Sequence, residues 1–183
     1  TEEQLLQPDI KSNFREIIMN VFEHSMAENC ILCAQKYKGV NGYEIELAVI
    51  DRGVGIPTTL RENNELVFAA DSDALSLSIQ PGISRIPITQ VNNDKNNPWQ
   101  NSGFGLYVLS EIGKRTGEFT LISGDSGLNC SSNLTQNFSK GFDGTAMKLL
   151  INRPKGITLD DLIEKIVSEG EEISGSSKTE RKA

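Results

Sequence analysis

Between Tyr43 and Asp51 the chain alternates with period two and ends on a carboxylate, a pattern that limits the fold more than any other segment. Tyr43, Ile45, Leu47 and Val49 share one side of a strand, and Glu44, Glu46 and Ala48 share the other. Asp51 continues the apolar side. A strand that runs this far without a bulge aims the carboxylate at the interior, where it needs hydrogen-bond donors to offset its lost hydration. A donor from a ligand would serve. Gly53 and Gly55 follow at once. Read alone, an aspartate before two glycines is a common tight turn, yet glycines also let a flat group approach the main chain closely.

The rest of the chain mixes the helical and strand periods. Patterning predicts a helix near 10–27, strands near 30–38 and 43–51 joined at Asn41-Gly42, a helix near 103–116, and strands near 118–124 and 144–151. A further strand is expected between 127 and 138, and a short helix at Ser72 to Gln80. The corresponding class is α+β: a two-layer α/β sandwich whose mixed, mostly antiparallel sheet is covered on one face by helices.

In the first predicted helix, Glu16, Asn20 and His24 are spaced by four and form one slanted stripe, because each step advances about 40° around the axis. Phe14, Ile17, Ile18, Val21 and Phe22 cluster on another side, so the core does not claim the stripe. By itself such a stripe reads as a solvated face. Downstream, Gly103 and Gly105 precede a helical pattern through Leu106, Leu109 and Ile112, and free amides at a helix start attract phosphate. Plain turns use glycines in the same way. A Rossmann fingerprint would need a third small residue where Val108 stands, and no Gly-x-x-x-x-Gly-Lys-Ser/Thr loop occurs. Both common nucleotide folds are disfavoured.

Taken in order, these pieces resemble the GHKL (Bergerat-fold) ATP-binding superfamily, most closely its histidine-kinase-like branch, over roughly residues 8–152. Glu16-x-x-x-Asn20-x-x-x-His24 matches the family's N box, Asp51-x-Gly53-x-Gly55 its first glycine box, Gly103-x-Gly105-Leu106 its second, and Gly144-Thr145 its last. The resemblance implies ATP and magnesium as ligands. Asn20 would hold the metal ion, Glu16 would orient or activate water or otherwise support phosphoryl transfer, and Asp51 would accept from the adenine amino group. His24 would lie near the phosphates or help position the lid, and Thr145 near the adenine. Gly53, Gly55 and Ile56, with Ser102, Gly103, Phe104, Gly105 and Leu106, would line the nucleotide. Residues 57–102 correspond to the family's ATP lid, from which Arg85 would reach a phosphate; an exposed arginine without a role is the competing reading.

Magnesium takes hard oxygen ligands and keeps several waters, so one amide oxygen beside triphosphate oxygens suffices. Phosphoryl transfer needs positioning and charge neutralisation more than a protein nucleophile. The net charge of -7 and pI near 4.8 argue against general nucleic-acid binding. No apolar run is long enough to span a bilayer and no signal peptide is visible, so a cytoplasmic location is expected. Three cysteines, Cys30, Cys33 and Cys130, suit a reducing compartment. Too few other ligands accompany Cys30-x-x-Cys33 to complete a metal site, and buried free thiols in a strand are the expectation.

The expected organisation is one ATP-binding domain over 1–154, a helix at about 158–169 with Leu159, Leu162, Ile163 and Ile166 on one face, and a disordered tail at 170–183. The domain would transfer a phosphoryl group to a protein acceptor outside this chain or hydrolyse ATP. The alternative is a nucleotide-gated regulatory module that binds ATP without useful turnover. The single histidine, His24, lies inside the nucleotide motif, so a histidine acceptor would belong to another segment or partner.

Overall fold

A computed structural model describes residues 26–39, 42–87, 103–152 and 158–180. Its strands are β1 (Cys30–Gly39), β2 (Gly42–Asp51), β3 (Gly117–Asn129) and β4 (Leu134–Asn152). Its helices are α1 (Ile56–Arg61), α2 (Asp71–Ser78), α3 (Gly105–Thr116) and α4 (Leu159–Glu180). The strands form one open sheet in the order β1-β2-β4-β3, and each of its three pairings is antiparallel. The expected α+β class holds, while the sheet is antiparallel throughout the described residues rather than mixed. The predicted helix near 10–27, which carries Glu16, Asn20 and His24, lies outside the described residues except for its end.

Alternation in β2 survives where the core reaches it. Leu47, Val49 and Asp51 are 5%, 1% and 2% exposed, whereas Tyr43 and Ile45, at the far end of the same face, remain exposed. Phe119 and Leu121 of β3 and Met147, Leu149 and Ile151 of β4 complete this face through their cross-strand register. Against it pack Leu75 of α2, Val108, Leu109 and Ile112 of α3, and Leu162, Ile163 and Ile166 of α4. Among the described residues, the helical stripes read from the sequence, on α3 and α4, therefore face this core. The opposite face is more polar: Tyr37 donates its hydroxyl hydrogen to Glu46 at 2.8 Å, and Lys148 pairs with the same carboxylate at 3.4 Å.

Three expectations are corrected. The strands expected at 118–124, 127–138 and 144–151 are two long strands forming one hairpin, with register shifts between Ser123 and Ser126. Gly124 and the Gly141 to Gly144 stretch look like breaks in a one-dimensional pattern, but a bulge absorbs the interruption and pairing resumes from Ser126↔Asn137. Second, α4 continues to Glu180, so the expected disorder from 170 does not hold through that residue. Gly170 is buried against the rings of Tyr107 and Phe104, and a helix anchored this far gains one backbone bond with each residue it adds. Third, Cys30 and Cys33 are exposed and only Cys130 is buried, because β1 is an outer strand and the described helices pack over β3 and β4.

Residues 56–87 pack as α1, α2 and a turn. Pro57 in the first turn starts α1, an element the sequence pattern did not show, and Leu60, Ala74 and Leu75 are buried. Asp71, at the start of α2, pairs with Arg61 at 2.9 Å and accepts the Asp125 backbone N–H at 3.1 Å, tying this segment to the β3 bulge.

Candidate functional site

Strand alternation carries Asp51 to the inner face at the end of β2, where it is 2% exposed. Its Oδ1 accepts two backbone N–H groups, from Gly53 at 2.7 Å and from Thr145 at 3.2 Å. Both bonds fall on the same oxygen. Among the described residues no donor meets Oδ2, so this carboxylate retains acceptor capacity in a nearly dry setting.

The neighbouring backbone is shaped by two glycines in the left-handed region, Gly55 at φ 77° and Gly144 at φ 112°. A Cβ on Gly144 would fall on the Asp51 carbonyl oxygen, and one on Gly55 would lie 2.8 Å from the Ser123 hydroxyl. Any side chain at either position would push apart the segments that hold Asp51. Ser123 joins these segments. Fully buried, it donates to the Gly144 carbonyl at 2.6 Å and accepts the Ile56 N–H at 2.9 Å. Asp51, Gly53, Gly55, Ile56 and Thr145, from two stretches of sequence, thus gather beside one serine from a third.

Ser123 was missed in the sequence, although a signal existed. It continues the inward alternation of Phe119 and Leu121, just as Asp51 continues that of Leu47 and Val49. A polar residue on an apolar stripe marks both positions.

Gly103, Phe104, Gly105 and Leu106 belong to a second group at the start of α3. Gly103 lies against the backbone of Gly82 and Ile83, Phe104 meets Tyr107 edge to face at 6.0 Å, and Leu106 packs on the core. Among the described residues no side chain caps this helix, so its first turn can present backbone amides to another acceptor. Arg85 lies 3.7 Å from Glu62 in an ion pair, so a phosphate would have to compete with that carboxylate. Asn63, another buried polar residue absent from the sequence reading, donates to the Ser84 carbonyl at 2.8 Å and holds the chain beside Arg85.

Glu16, Asn20, His24 and Ser102 lie outside the described residues. Among those described, no three His, Cys, Asp or Glu side chains gather as a metal site; the expected magnesium ligand is the Asn20 amide. Also among the described residues, no helix is long and apolar enough to cross a membrane. A scan against models of known protein families finds no match, and neither does a search of curated proteins.

Proposed function

We propose that the Asp51 cluster is the base-recognition end of a nucleotide site. In this reading the chain binds ATP with magnesium, as histidine-kinase-like ATPases do, and transfers a phosphoryl group to a protein acceptor outside this chain or hydrolyses the nucleotide. The observation that carries the reading is Asp51 itself, a carboxylate 2% exposed whose two protein donors both bind Oδ1. Its second oxygen can accept an exocyclic amino group in surroundings where water competes little. Gly53 donates to the same carboxylate oxygen, and Thr145 is fixed beside the carboxylate by its own N–H.

The phosphate end of the reading rests on the uncapped start of α3, a twelve-residue helix whose first-turn amides favour an anion. The metal and catalytic roles rest on sequence, with the Asn20 amide oxygen as magnesium ligand and Glu16 supporting phosphoryl transfer. Bound magnesium would neutralise phosphate charge.

The test is incubation with labelled ATP and magnesium, alone and with fractionated cellular proteins, following free phosphate and labelled protein together. Phosphate release or labelled protein is expected to fall in Glu16→Ala, and ATP binding by calorimetry to fall in Asp51→Asn. Binding without either product would identify the nucleotide-gated regulatory module. Undiminished affinity in Asp51→Asn would overturn the adenine assignment.

A further inference from the structure

We infer that two copies of this chain join edge to edge through β1, in an antiparallel two-fold pairing centred on Cys33. This inference is independent of the nucleotide reading.

In the order β1-β2-β4-β3 the strands at the two edges are β1 and β3, and they differ in protection. β3 is interrupted by register shifts, a device that blunts an edge. β1 pairs with β2 without interruption from Cys30↔Asp51 to Gly39↔Gly42, and no described strand meets its other side. The free edge is ten residues of regular strand, about 30 Å, and contains no proline. Ile31 and Leu32 at its start are 66% and 52% exposed, and Cys30 and Cys33 are exposed as well. A long, regular, apolar edge is a template for another strand.

Charge selects a second copy as the occupant. The charged residues of β1 are Lys36 and Lys38, both in its C-terminal half, while the exposed Glu28 lies just before its start. An antiparallel two-fold pairing sets the start of one copy against the end of the other. With Cys33 on the axis, Leu32 meets the partner copy's Ala34, Ile31 meets Gln35 and Glu28 meets Lys38. Glu28 lies two residues before β1, so this pair extends the antiparallel register just past the end of the strand. Lys36 is engaged already, its Nζ 3.9 Å from the centre of the Tyr43 ring, so Lys38 is the cation left for Glu28.

The experiment is sedimentation equilibrium of the full chain over a concentration series, paired with a bifunctional maleimide cross-linker. A dimer is expected, cross-linked in the native protein and in Cys30→Ser but not in Cys33→Ser. Lys38→Glu sets like charges opposite one another and is expected to raise the dimer dissociation constant about tenfold, with recovery in Glu28→Lys/Lys38→Glu. Ile31→Lys, at an exposed position, is expected to give monomer. A dimer indifferent to all of these substitutions lies on another surface and overturns the proposal. A monomer at every concentration also overturns it.

Discussion

The Thr145 backbone N–H donates to Asp51 Oδ1 at 3.2 Å across 94 residues of sequence. Through this bond β4 fixes the orientation of a carboxylate carried by β2, and the orientation sets what the second oxygen can meet. Asp51→Asn can keep Oδ1 as an acceptor while replacing Oδ2 by a donor. The fold is expected to persist and ATP affinity to fall by roughly tenfold to a hundredfold, from about 1.5–3 kcal/mol for a hydrogen bond to a charged group. Calorimetric titration of the two proteins measures it. Asp51→Ala also strips the buried Thr145 N–H and the half-buried Gly53 N–H of their acceptor and is expected to lower stability by about 1–3 kcal/mol for the buried group and less for the other.

Ser123 links the segment after β2 to the Gly144 turn with a single hydroxyl. Ser123→Ala leaves the Gly144 carbonyl and the Ile56 N–H without their partner. A loss of about 2–6 kcal/mol in urea unfolding is expected, from two unsatisfied groups at about 1–3 kcal/mol each. Weaker ATP binding should accompany it, since Asp51 would lose the support of its neighbours.

Burial pushes the Cys130 thiol up from 9.0 to about 11, Lys114 opposing the shift and Glu111 adding to it. The folded state thus keeps a proton that the unfolded chain releases at lower pH. The resulting stability is fully present below pH 9 and is lost as pH rises towards 11. Urea midpoints measured between pH 8 and 10.5 should fall less steeply in Cys130→Ala than in the parent protein. At pH 8, a disulfide-exchange reagent should label Cys30 and Cys33 in the native protein and Cys130 only on unfolding.

Arg115 of α3 joins Glu111 at 3.1 Å and also hydrogen-bonds Glu169 of α4. That guanidinium holds the Glu169 carboxyl below its ordinary value. A depressed carboxyl stabilises the contact above the ordinary glutamate range, and the contribution is lost as pH falls through the lowered value. Protection factors of the α4 amides, corrected for the pH dependence of intrinsic exchange, should fall on acidification across that window. In Glu169→Gln the acid dependence should flatten, with faster exchange at neutral pH.

Legibility in the sequence followed the distance over which each feature is specified. The β1–β2 hairpin, α3 and the Leu162, Ile163 and Ile166 face of α4 follow from patterns within a dozen residues, and they stand within about two residues of where those patterns put them. The continuity of β3 and β4 was not legible, because the Ser126↔Asn137 pairing is set by the partner strand and not by the glycines beside it. Nor was the full length of α4, whose polar end follows a segment anchored where Gly170 meets Tyr107.

The site divides in the same way. Alternation along β2 was enough to turn Asp51 inward, since successive side chains of a strand point to opposite faces whatever lies around them. The sequence by itself therefore determined which carboxylate is buried and that glycines follow it. Only the tertiary structure decided that Thr145 and Gly53 share one of its oxygens and that Ser123 closes the gap between Ile56 and Gly144. Hydrogen bonds are satisfied by whichever groups the sheet register brings within about 3 Å, and that register belongs to strands paired across the fold rather than to any one segment.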